Sequence, residues 1–108
     1  GGRKTTPGWR SDRGRIYAKY GPYDEYLDRV ASGRAPTYQV WRYTKQKDRY
    51  FIFVDKNNLG GFQLIYSNDI TEVSRPDWQE ILTADGVIDV GRWLGVNLIG
   101  TGNQNSAQ

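Results

Sequence analysis

Apolar residues along this chain recur first at helical spacing and then in alternation, and the change of period divides it into elements. Ile16, Tyr17 and Tyr20 share one helical face behind the capping oxygens of Ser11 and Asp12, and Gly21 and Pro22 follow as a stop signal. The pattern predicts a short helix over 12–20. A strand is the competing reading, because Ile16, Ala18 and Tyr20 also alternate and Gly14 weakens a helix. A second helical turn is expected from Asp24 to Val30, before a Gly- and Pro-bearing loop from Ala31 to Pro36. Three runs dense in aromatic and β-branched residues come next: Tyr38 to Tyr43, Tyr50 to Asp55 and Phe62 to Tyr66. Their connectors, Thr44 to Arg49 and Lys56 to Gly61, are charged or rich in residues that tolerate positive φ, so the runs read as a three-stranded antiparallel meander.

In the middle strand Phe51 and Phe53 point one way and Tyr50, Ile52 and Val54 the other, so both faces of the sheet need cover. The helix before the meander supplies one cover, and the C-terminal region the second. There Ser74 and Pro76 mark a helix start, with Trp78, Ile81 and Leu82 at helical spacing, which predicts a helix over 76–82. Residues 83–99 are apolar but interrupted by Gly86, Gly91 and Gly95, and their pattern assigns no structure. The expected fold class is α+β: a short N-terminal helix or helices packed on a three-stranded antiparallel β-meander, with a C-terminal helical extension. Residues 1–8 read as a flexible lead-in or a tag-cleavage scar, 9–82 as the domain, and 83–108 as the extension, disordered from Gly100 onward.

Composition narrows the chemistry. The 108 residues include no His and no Cys, which removes the commonest general base, the thiol and imidazole nucleophiles and the usual structural zinc sites. Carboxylates, lysines and oxygen-held metal ions remain. Eight Tyr and four Trp carry much of the apolar load, and such side chains suit half-buried faces and binding surfaces. A net charge of +3 permits an anionic partner without demanding one. No stretch approaches the roughly 20 apolar residues of a bilayer span.

Gly8 to Tyr17 is the most unusual run. Structurally, Ser11 and Asp12 act as helix caps, Trp9 staples the helix start, and the arginines are solvated or pair with Asp24 and Glu25. Functionally, Arg10, Arg13, Arg15 and Lys19 interleave with Trp9, Tyr17 and Tyr20 as a basic aromatic surface for single-stranded nucleic acid or an anionic glycan. Asp24 and Glu25 offer carboxylates for a hydrolase, but neighbours in sequence rarely flank one bond from opposite sides. Asp55 to Asn58 is oxygen-rich, yet Tyr66 stands where an EF-hand needs Glu, so a hairpin turn is expected. Gly60-Gly61 lacks the downstream residues of a phosphate loop, and no cofactor is implied.

Gly8-Trp9-Arg10-Ser11-Asp12, Tyr20-Gly21-Pro22-Tyr23-Asp24-Glu25 and the aromatic strands up to Asn68 together resemble the GWxTD domain family of exported proteins from Bacteroidetes and related bacteria. Ser11 stands where that family has Thr, and Tyr23 where it has a second Pro. The resemblance implies export to the cell envelope or periplasm as part of a larger protein, and it fits a non-catalytic module. A fainter similarity, of fold only, is to outer-membrane lipoprotein domains of the SmpA/OmlA type. The function expected is protein–protein interaction or scaffolding, the partner being another protein or a neighbouring domain of the parent chain. Trp9, Arg10, Arg13, Arg15, Tyr17, Trp41 and Tyr43 form the candidate binding surface, and Ser11, Asp12, Gly21 and Pro22 the candidate caps. A glycan- or nucleic-acid-binding module and a carboxylate hydrolase are the alternatives.

Overall fold

The computed structural model describes residues 11–99. Trp9, Arg10, the lead-in and the tail from Gly100 lie outside the described residues, and so do the expectations placed on them. Helix α1 spans Asp12–Tyr20, where the 3,4 spacing predicts it. Ser11 is its N-cap, its Oγ accepting from the Gly14 N–H at 3.0 Å. Gly21 closes the other end at φ 83, a conformation in which a side chain would be strained, and donates its N–H to the Tyr17 carbonyl at 2.7 Å. Asp12 is not a cap. Its Oδ2 reaches out of the helix and accepts the Leu64 N–H at 2.7 Å, fastening α1 to the edge of the sheet.

The segment expected to form a second helical turn is instead a strand, β1 (Glu25–Arg29), and the sheet therefore has four antiparallel strands rather than three. Tyr23, Tyr26, Leu27 and Val30 fit a helical face, but only Leu27 of the strand is buried, so a helix would have had almost no apolar face to pack. Backbone pairing decides. A tight turn at Gly33 (φ 58), closed by reciprocal bonds between Ser32 and Ala35, folds β1 onto β2 (Thr37–Tyr43), with Leu27 opposite Val40. β3 (Arg49–Asp55) and β4 (Gln63–Ser67) complete the order β1-β2-β3-β4. The Asp55 carboxylate accepts from the Leu59 and Gly60 amides, so the oxygen-rich loop is a hairpin turn organised by backbone donors.

Alternation along β2 and β3 sends side chains to two separate cores. Tyr38, Val40, Tyr50, Ile52 and Val54 pack on helix α2 (Trp78–Leu94), while Trp41, Tyr43, Phe51 and Phe53 pack around Ile16 of α1. Both faces are covered, as the alternation in the middle strand requires. A bulge opposite Ile52 and Phe53 leaves Ile65 as an extra residue, and both Ile65 and Tyr66 pack with the α2 core. Tyr66 stacks on Trp78 with ring centroids 4.3 Å apart.

Helix α2 runs past the expected 76–82 and takes in most of the stretch left unassigned. Its interior breaks at Thr83, which sits at φ 71 with its Oγ1 buried and unbonded among the described residues. Gly86 makes room for the Leu82 side chain of the same helix: a Cβ there would lie 2.8 Å from Leu82 Cγ, and at an ordinary contact distance of 3.5 Å from Tyr38 Cε2. Ser74, expected to cap this helix, serves β4 instead, its Oγ accepting the Ser67 N–H at 3.1 Å.

Candidate interaction surface

The structure draws most of the basic aromatic run into the fold. Arg13 lies over the Phe62 ring, 4.2 Å from its centroid, and donates to Gln39 Oε1. Arg15 and Lys19 both reach Glu72 in the β4–α2 loop, at 3.0 and 3.1 Å, rather than Asp24 and Glu25. Tyr17 meets the edge of Trp41 with centroids 6.3 Å apart and remains half exposed. Trp41 and Tyr43, expected as contact anchors, are each only 7% exposed and belong to the α1 core. The reason is parity: odd-numbered residues of β2 turn toward α1, and their large rings fill the space beneath that short helix. Burial pushes the Tyr43 hydroxyl up to about 12, and it donates to the Gly21 carbonyl at 2.9 Å.

Two acidic residues that sequence reasoning missed organise this region. Glu72 is buried under Arg15, Lys19 and Tyr20; burial alone would raise its carboxyl, but those three donors together hold it below the usual carboxylate range. Asp69 accepts from the hydroxyl and amide of Thr71 and from Arg49, and its carboxyl falls to about 2. The Asp-x-Thr spacing of Asp69 and Thr71 is a turn signal readable in advance. Nothing local marks Glu72, whose partners lie more than fifty positions away.

Between the end of α1 and the β2–β3 hairpin lies a cleft of about 550 Å3, walled by Tyr20, Tyr23 and Tyr43 and rimmed by Lys45, Lys47 and Arg49. Its charges are largely compensated. Lys45 pairs with Asp24, whose carboxyl that contact and the Thr44 amide hold low, and Arg49 pairs with Asp69. Lys47 has no ion-pair partner among the described residues. Asp24 and Glu25 turn to opposite faces of the sheet, Asp24 to Thr44 and Lys45 and Glu25 to Arg42, so they do not form a carboxylate pair. No group of three or more His, Cys, Asp or Glu among the described residues is placed to hold a metal ion, and no described helix is long and apolar enough to cross a membrane.

The two edges of the sheet differ sharply. On β4 the outward groups are taken: the Leu64 N–H by Asp12, the Ser67 N–H by Ser74, and the Ile65 carbonyl by the Arg75 N–H at 2.9 Å. On β1 they are open among the described residues. The Arg42 carbonyl accepts from the Asp24 amide, so even-numbered residues of β2 face β1, and their partners Glu25, Leu27 and Arg29 face inward. Tyr26 and Asp28 therefore turn their backbone N–H and C=O away from the sheet. No described residue supplies them a backbone partner. Sequence reasoning missed this edge because it read the segment as helical.

No family model, curated protein or solved structure matches this chain.

Proposed function

We propose that this chain is a non-catalytic protein-interaction module that accepts an added strand along β1. The open backbone of Tyr26 and Asp28 carries the reading, because an unpaired sheet edge offers main-chain hydrogen bonds to any extended segment. Half-exposed Tyr26, flanked by Tyr23 at 5.4 Å between ring centroids, adds an aromatic wall beside that edge. The resemblance to exported bacterial modules supports a setting in a larger cell-envelope protein, with a neighbouring domain or a separate protein as the partner.

A displayed library of random extended peptides tests the reading. Binders should shift the amide resonances of Tyr26 and Asp28 and lose binding to Asp28→Pro, which removes an outward N–H without breaking a sheet bond. Binders that ignore that substitution and leave β1 unshifted would sink it.

The tyrosine-walled cleft favours a second reading, an acidic glycan held by Lys45 and Lys47. Its charge compensation makes it a poor match for a polyphosphate backbone. Binding to an acidic glycan that survives moderate salt, with no comparable binding to single-stranded DNA, is the result that reading requires.

A further inference from the structure

We infer that the strand β1 accepts is β1 of a second copy of this chain, paired antiparallel about a two-fold axis at Leu27. The inference rests on the proposed interaction through the β1 edge and names its occupant. In a two-fold pairing the residues facing each other have position numbers that sum to a constant even number, and the outward pair Tyr26 and Asp28 must meet outward residues of the other copy. Centred on Leu27, Tyr26 of each copy meets Asp28 of the other, and each such pair exchanges both its backbone bonds.

Charge selects this register over its neighbours. With Leu27 at the axis, Glu25 of each copy lies opposite Arg29 of the other on the α2 face, and both side chains are about half exposed. Moving the axis to Tyr26 would set Asp28 against Asp24 of the second copy; moving it to Asp28 would set the two Asp28 carboxylates against each other. Only the Leu27 register pairs opposite charges, and it does so twice by symmetry. Leu27 faces Leu27 between them, extending the α2-face core across the join. On the other face Tyr26 lies beside Asp28 of the second copy. The two sheets become one, and each copy's only open edge is closed among the described residues.

Sedimentation of the 108-residue chain over a range of concentrations tests this. An interface limited to one strand and its flanks predicts a weak dimer, with a dissociation constant on the order of 10–100 μM. Asp28→Pro should remain folded by circular dichroism and stay monomeric. Glu25→Arg and Arg29→Glu should each weaken self-association roughly tenfold, because each places like charges opposite each other at both pairs. Mixing the two variants should restore association as a heterodimer, a result that general destabilisation of either variant would not give. A chain monomeric at millimolar concentration overturns the inference. So does a dimer indifferent to Asp28→Pro and to the charge exchange. If the chain stays monomeric while displayed peptides still shift Tyr26 and Asp28, the inference fails and the strand-accepting reading stands; if neither peptides nor a second copy engage β1, both fail.

Discussion

The β4 and β1 edges belong to one sheet and are built from strands of the same length, yet among the described residues one is sealed by the chain itself and the other is left bare. Sealing β4 draws on distant parts of the sequence: Asp12 from α1, and Ser74 and Arg75 from the loop before α2, a loop tied down in turn by Glu72 and Asp69. Asp12 and Ser74 close backbone groups with polar side chains and Arg75 with its main-chain amide, so the edge is not left to pair with strangers. At β1 the nearby side chains face elsewhere. Arg29 is turned onto Asp89 of α2 and Glu25 toward Arg42, and no described residue bonds to the outer side of the strand. Among the described residues the chain closes one edge with its own groups and leaves the other open.

Removing a seal should make the edges alike. Asp12→Ala leaves the Leu64 N–H without its partner and loosens α1 from the sheet, so it should lower unfolding stability by about 2 kcal/mol in a urea titration and make the protein prone to associate through β4. Acid should act on the same side with a smaller and reversible effect. Asp69 and Glu72 are held below their ordinary values of 3.8 and 4.5, so the stability they contribute is complete above those values and is lost as pH falls through the lower folded ones, toward about 2 for Asp69. Between pH 4.5 and 2, the protection of the Ser67 amide relative to its intrinsic exchange rate should fall before that of Ile52 in the centre of the sheet. The smallest effect belongs to the bare side: Asp28→Ala, made under dilute conditions, should change stability by less than about 0.5 kcal/mol, because among the described residues its side chain makes only a long, exposed contact with Gln39.

Local pattern was enough to read α1, its Ser11 and Gly21 caps, and the two-faced alternation of β2 and β3, since caps and strand parity depend on near neighbours. It misread β1 because Tyr23, Tyr26, Leu27 and Val30 fit helical spacing, while the deciding contribution, pairing with Val40 and Arg42, lies across a turn. It does not extend α2 beyond Leu82 because Gly86 and Gly91 look like breaks; Gly86 in fact makes room for the Leu82 side chain, and a Cβ at Gly91 would come within 3.0 Å of the Val96 carbonyl. Trp41 and Tyr43 look like surface anchors in the sequence because aromatic content says that a residue is apolar and not which face will be covered. Glu72, the buried acid beneath α1, has no local signature at all.

The most direct measurement is amide hydrogen exchange of the dilute protein, residue by residue, at the two edges. Leu64 and Ser67 should be protected to nearly the same degree as the central strands, and Tyr26 and Asp28 should exchange far faster than their inward neighbour Leu27. Equal protection of Tyr26 and Leu27 in a demonstrated monomer would mean that the chain seals its β1 edge as well, and would contradict the account.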